Sequence, residues 1–499
     1  MEQHHLDRRS IVAVFAALMI AMFVSSLDQT IVSTALPTIV GELGAVNHML
    51  RVTTAYFLTS TITMPVYGKL GDLFGRKHLF VAALALFIGG SLCCGLTGTM
   101  MGLIVGRAIQ GLGGGGLMIL SQAIVADIFP PKERSKYMGV MGASFGVSMA
   151  LGPLLGGLFT EYVSWRWCFW INVPLGAIAL VAAAVALPHR EHPKRSAGAI
   201  DIPGMLTLAA SSSCLVLAIS LGGSVISYGS PAFVALIVGC VAFAVLFVIA
   251  ETRAQEPVMP LTLFKNRNFV VCTLAGLAIM VAMSGTISYL PTYFQIVNGL
   301  EATIAGYMTL PLMLAMMVTS TAAGFIASKA RSLKWMPLLS CAIAAVALTL
   351  FATITVETSL WQLGLMLALL GFGVGIGQQI LVLIVQNEFS ISIVGTATAA
   401  NNFFREIGGT IGGAAVGALF TSNLMARLNE NLGSAAQTID VNALTPQLVR
   451  AMDESTRAAV QLSYNDALAP VFGMLVPLVA IAFVLLLFLK SKPLSDVNL

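Results

Sequence analysis

Long apolar runs alternate with short polar breaks along this chain, and fourteen of the runs approach the ~20 residues that carry a helix across ~30 Å of hydrocarbon. They fall near 11–36, 52–70, 78–97, 100–123, 137–160 and 167–187, then 202–221 and 231–250. The last six lie near 268–294, 303–326, 336–354, 359–384, 394–422 and 468–489. The first run is too long for a signal-peptide core and is not followed by a small-residue cleavage site, so it is expected to stay in the protein as a membrane helix. One long polar insert, 424–466, separates the last two runs and reads as a surface cap with a helical stretch near Leu448–Leu462. The stretch HREHPKRSAGAID at 189–201 reads as a basic linker closing the first six-helix unit.

Composition turns this pattern into a membrane protein. Charged residues make up 10% of the 499 positions and hydrophobic ones 57%, against about 25% charged in a soluble chain. With the N-terminus placed inside, the cytoplasmic segments collect 19 of the 26 Lys and Arg. The outer segments hold five (Arg51, Arg166, Arg427, Arg450 and Arg457), and Arg107 and Arg405 lie within spans. Such a bias marks the cytoplasmic side and would be scrambled by a wrong helix count, so both termini are expected in the cytoplasm. No basic run is dense enough for nucleic acid. The seven cysteines sit in apolar stretches without a CxxC pair, and the six histidines (His4, His5, His48, His78, His189 and His192) lie at segment ends. They suggest neither a disulfide framework nor a metal site. No GxxxxGK[ST] loop is present, which argues against an ATP-driven pump.

Four charges stand inside spans, where an ion costs at least ~2.5–3.5 kcal/mol and is by default functional. Asp28 lies roughly 13 Å inside the outer end of the first span, and Arg107 roughly 11 Å inside that of the fourth, at 1.5 Å per residue. Depth and opposite sign suit a pair across a shared cavity. Burial and a nearby cation pull a carboxyl in opposite directions, a balance that cargo or a conformational change can tip. The alternative is a static ion pair that fixes helix register. Arg405 and Glu406 are neighbours on the thirteenth span and point about 100° apart. One is expected to face the cavity, Glu406 for preference, and the other a neighbouring helix.

Glycines mark the moving parts. Gly68, Asp72, Gly75, Arg76 and Lys77 belong to a tight turn between spans two and three, where Asp72 can accept from basic groups or a helix N-terminus. Gly142, Gly146, Gly152, Pro153, Gly156 and Gly157 line the fifth span and suit a close, bending helix interface. Tyr56, Phe57, Gln110, Tyr289, Tyr293 and Phe403 are candidates for a substrate cavity, and the aromatics among them serve equally well as packing residues.

At these positions the chain resembles the major facilitator superfamily, in its fourteen-helix drug:proton antiporter branch of EmrB/QacA type. Leu27-Asp-Gln-Thr-Ile-Val-Ser-Thr-Ala-Leu-Pro37 matches the branch's first-helix signature and Gly68–Lys77 the loop motif of the superfamily. Arg107 with Gln110–Gly113 looks like the fourth-helix motif, Gly142–Gly157 like the antiporter motif of exporters, and Gly395–Gly413 like the thirteenth-helix pattern. Two departures stand out: the aromatic usual near Arg51 is absent, and in the second-half copy of the loop motif Ser328 stands where the acid would be.

The resemblance implies an all-α polytopic fold of two six-helix bundles, 1–187 and 266–499, joined by two linker spans within 188–265. It implies proton coupling through Asp28 and Arg107, an inner-gate latch at Asp72, and antiport geometry set by the fifth-span glycines. The intramembrane charges themselves add Glu406, which is not a uniform position of the family, and Arg405 as further candidates. The expected activity is export of lipophilic, cationic drugs or toxic compounds in exchange for protons, without a cofactor, by a monomer in the bacterial inner membrane. A dedicated exporter of one metabolite or antibiotic is the closest rival. A membrane enzyme would need a buried catalytic set that no His or Cys cluster offers, and a channel or transport-dead sensor is the remaining alternative.

Overall fold

The computed structural model describes residues 8–43, 49–187, 200–223, 226–432 and 444–494. His4, His5, His48, His189 and His192, the basic linker as far as 199, and 433–443 of the polar insert lie outside the described residues. Among the described residues regular structure is helical throughout, with two isolated backbone bridges.

The first part of the chain forms α1 (Arg8–Leu43), α2 (Met49–Phe74), α3 (Arg76–Leu96), α4 (Met100–Ile128), α5 (Pro131–Tyr162), α6 (Trp167–Trp170) and α7 (Asn172–Ala186). Two helices follow, α8 (Ile202–Leu221) and α9 (Pro231–Arg253). The rest comprises α10 (Arg267–Ile296), α11 (Ala302–Tyr307), α12 (Leu310–Lys329), α13 (Trp335–Phe351), α14 (Leu360–Gln386), α15 (Val394–Leu432), α16 (Pro446–Ala451) and α17 (Glu454–Leu487).

Eleven spans among the described residues are long and apolar enough to cross a membrane. α13 is shorter, and α2 and α15 are less apolar for a physical reason: they pack on each other across the middle of the molecule instead of facing lipid. α9 is the reverse case. It contacts α8 and buries only Glu251, so its apolar surface is open almost all round. Turns follow local chemistry. Gly75 takes φ 92° between α2 and α3, a conformation open to glycine, while Thr99, Asp201, Ser230 and Ser359 cap the helices they precede.

Three details differ from the sequence reading. The sixth run is divided into α6 and α7, and the tenth into α11 and α12 with Pro311 in the first turn of the latter. The polar insert is largely helical at its flanks. α15 runs on to Leu432 and α17 starts at Glu454, because Leu424 and Leu428 on one and Val460 and Tyr464 on the other supply a buried stripe at helical spacing. Most of the expected Leu448–Leu462 helix thus belongs to α17.

Candidate transport site

Asp28 is fully buried in α1, and four neighbouring elements supply groups around it. Arg107 of α4, 2% exposed, pairs with Asp28 Oδ2 and donates to Gln110 Oε1 at 2.8 Å. Gln110 Nε2 donates to Asp28 Oδ1 at 2.7 Å and to Ser91 Oγ of α3 at 2.8 Å. Asn172, in the first turn of α7, donates through Nδ2 to Asp28 Oδ1 at 2.8 Å and to Ser91 Oγ at 3.3 Å. Tyr56 of α2 closes the other side: its ring lies 4.2 Å from the Arg107 guanidinium and its hydroxyl meets Ser25 Oγ at 3.3 Å. Thr30, two residues along α1, donates to the Ser148 carbonyl at 3.0 Å and ties the helix that carries Asp28 to α5. Removing one partner from so enclosed an ion pair leaves an uncompensated charge, typically at a cost of about 3–5 kcal/mol.

Beyond Ser25 a narrow central cleft opens between α1, α2, α4 and α5 on one side and α15 on the other. Its walls include Gln29, Phe57, Met118 and Phe145, and Glu406 is the acid that lines it. Arg405 turns the other way: it is buried, reaches Gln378 O and Asn402 Oδ1 at 3.4 Å each, and lays its aliphatic stem against Gly276. Along α1 the exposed positions recur in pairs at helical spacing, 33–34, 37–38 and 41–42, and Ser33 and Pro37 continue the helix face on which Ser26 and Gln29 line the cleft. Of the six cavity candidates, Phe57 lines this cleft. Tyr56 and Gln110 belong to the Asp28 network, Tyr293 is buried with its hydroxyl donating to Asn465 at 2.8 Å, and Phe403 is in the core. Tyr289, half-buried, donates to Gly413 O at 3.1 Å.

The opposite end of the cleft is sealed. Asp72 reaches from the first part of the chain to the start of α15, accepting from Gly395 N at 3.2 Å, Thr396 N at 2.6 Å and Thr396 Oγ1 at 2.8 Å. Arg76 holds Asp72 from behind at 2.6 Å and pairs with Asp127 at 2.6 Å. Lys77 donates to Leu187 O at 2.6 Å. The backbones touch here: a Cβ on Gly68 would stand 2.3 Å from Ala399 Cβ and 2.9 Å from Gly395 O. Neutral amides continue the seal, with Asn402 Nδ2 donating to Gln122 Oε1 at 2.9 Å.

A second closed seam runs between α5 and α12. A Cβ on Gly324 would lie 2.5 Å from Ser135 O, and Gly142 and Gly146 face Ser320 and Met313. Gly152 and Gly156 face Thr30 and Thr34 of α1 instead, Pro153 stands between them in sequence, and Gly157 meets nothing within 4 Å. Ser328 turns its hydroxyl back to Phe325 O of its own helix at 2.7 Å, so this seam has no counterpart of the Asp72 contact from that position.

This architecture has counterparts among known proteins. Residues 18–413 match the sequence profile of the Major Facilitator Superfamily. The chain belongs to that superfamily. An uncharacterized MFS-type transporter of Mycobacterium tuberculosis is 38% identical over 98% of this chain and 71% of its own length. Multidrug transporter protein MdtP of Bacillus subtilis is 34% identical over 96% of this chain and 93% of its own, and multidrug resistance protein 3 of the same organism 35% over 87% and 85%. The crystal structure of the human organic anion transporter MFSD10 covers 96% of this chain and 99% of its own at a TM-score of 0.65 and 17% identity, a likeness of fold. This major facilitator chain is thus a multi-pass membrane transporter with relatives named as efflux pumps. Ser91, Asn172, Gln122 and Asn402 escaped the sequence reading. The available signal was a neutral amide or hydroxyl inside an apolar run, as in Trp170-Ile-Asn-Val-Pro174, where a polar group needs a buried partner.

Proposed function

We propose that this transporter is a proton-driven antiporter that exports lipophilic cations from the cytoplasm across a bacterial inner membrane. Counting α2, α13 and α15 with the eleven apolar spans gives fourteen crossings, and with the Lys and Arg bias this supports two six-helix bundles, two linker spans and both termini inside. The sealed end is then the cytoplasmic one. The observation that carries the reading is the desolvated Asp28–Arg107 pair standing directly behind a cleft that holds a second acid, Glu406. An outside proton taken by Asp28 weakens its hold on Arg107, and the cleft releases its cargo as Glu406 or Asp28 is neutralised. No cofactor takes part. Each ~100 mV of membrane potential supplies ~2.3 kcal/mol per charge moved. The names of the Bacillus relatives as multidrug proteins support the breadth of cargo, and the methionine- and phenylalanine-lined cleft supports its lipophilic character.

The test is Asp28→Asn in everted vesicles, with ethidium as cargo and a pH-sensitive dye as the proton readout. Loss of proton-linked ethidium transport at normal membrane insertion is the expected result; full transport by the variant ends the assignment. Resistance profiles against unrelated compounds separate this reading from a dedicated exporter, which protects against a single chemical class.

A further inference from the structure

The amide of Asn172 has an unequal set of partners. Its Nδ2 donates to both Asp28 Oδ1 and Ser91 Oγ, whereas its Oδ1, fully buried, finds no hydrogen-bond partner among the described residues. An amide offers two donors and one acceptor oxygen, and a buried polar atom is ordinarily paired. The other groups at the Asp28 carboxylate lack this spare acceptor. Arg107 can only donate. Gln110 is fixed at both ends, accepting from Arg107 and donating to Asp28 and Ser91, so turning it over would set its oxygen against the carboxylate and its NH₂ against the guanidinium. The Tyr56 hydroxyl is engaged with Ser25.

A carboxylate only accepts, whereas a carboxylic acid also donates and, once buried, requires an acceptor. We propose that Asn172 positions Asp28 in both of its protonation states: its NH₂ donates to the carboxylate, and when Asp28 takes up a proton the amide turns over so that Oδ1 accepts from the new O–H. This rests on Asp28 being the proton site. The step balances simply: one proton adds to Asp28 Oδ1, its O–H donates to Asn172 Oδ1, and Oδ2 keeps Arg107. Half a rotation about the Asn172 Cβ–Cγ bond exchanges Nδ2 and Oδ1, and Oδ1 gives up no bond in the exchange. The Asp28 carboxyl is thereby paired in both states, and on protonation Asn172 Nδ2 gives up its bonds to Asp28 and Ser91. Other titratable groups facing Asp28 are Arg107 on α4, Tyr56 on α2, Cys94 on α3 and Cys168 on α6, with Glu406 across the cleft on α15; α5 meets α1 there through the neutral Ser148.

Proton-linked ethidium transport in everted vesicles, measured against pH, tests the proposal. Asn172→Leu removes a charge-assisted bond to the carboxylate and a weaker neutral bond to the acid. The proton is then held to higher pH, and the alkaline limb of the profile moves up by about one pH unit. Asn172→Asp keeps the side chain's size but sets a second carboxyl beside the first, which moves the limb further in the same direction. In the purified wild-type chain, the acid-minus-alkaline infrared difference spectrum carries an asparagine side-chain amide band that Asn172→Asp lacks. Wild-type profiles in both variants, with Asp28→Asn inactive, overturn the role of Asn172, as does a wild-type spectrum without that band. Proton-linked transport by Asp28→Asn overturns the underlying proton site instead.

Discussion

Replacing Asp72 by Asn should loosen the sealed end of the bundle by about 2 kcal/mol. Asn keeps the volume and one acceptor but loses the charge that serves the Gly395 and Thr396 amides and Arg76. Hydrogen bonds to a charged group contribute about 1.5–3 kcal/mol and neutral ones about 0.5–1.5, so roughly 1 kcal/mol is lost at each backbone donor. Arg76 retains Asp127, which limits the further loss behind the latch. At 1.4 kcal/mol per factor of ten, 2 kcal/mol is about a 30-fold rise in the population opened at this end. Hydrogen–deuterium exchange of the segment 391–402 in the full-length protein reads that population through the same two amides. The expected result is exchange about 30-fold faster there, with α13 unchanged as an internal control. Exchange within threefold of wild type would refute the latch, since it would mean that the short contacts to Thr396 contribute nothing to closure.

Three further outcomes follow from the geometry. Gly68→Val places a side chain where Ala399 Cβ and the Gly395 carbonyl already stand, so the sealed end fails to close and ethidium export is lost while membrane insertion, followed by quantitative blotting, is retained. Glu406→Gln should lower kcat/KM for ethidium by about tenfold or more, the value of one charge-assisted contact, and leave a neutral lipophilic cargo largely unaffected; equal losses for both would place the acid outside cargo recognition. Glu388 lies outside the spans. Burial raises its proton affinity, but donors from Lys492, Asn268 and Asn266 outweigh that and hold it below the usual glutamate range. Its folded value is the lower one, so the stability it contributes is present above the ordinary glutamate range and lost as pH falls through and below it; thermal unfolding in detergent should show a fall in Tm on acidification below about pH 4.5 that Glu388→Gln flattens.

Helix positions could be read from the chain because lipid demands long apolar stretches, and Asp28, Arg107 and Asp72 because a charge in such a stretch, or in a glycine turn, is conspicuous. The face each helix turns inward could not. Lipid and protein interior are both apolar, so the sequence carries little of the contrast that orients an amphipathic helix in water. Tyr293 and Phe403 therefore read equally well as cavity or packing residues and pack in the core, and Gln110, a cavity candidate, serves the Asp28 carboxylate. The extension of α15 was hidden for the opposite reason: Arg427, Glu430 and the asparagines near them look like a loop when Leu424 and Leu428 are not counted at a spacing of four.

α15 is a single rod of 39 residues, about 58 Å long at 1.5 Å per residue. It carries the amides held by Asp72 at its first turn, Glu406 a third of the way along, and the stripe against α17 near its far tip. A tilt of about 10° about its midpoint sweeps each tip by roughly 5 Å, about one helical turn. Events at the two ends of the molecule are thereby geared to each other through one lever, and a load applied where α15 packs on α17 is felt at the Asp72 contact.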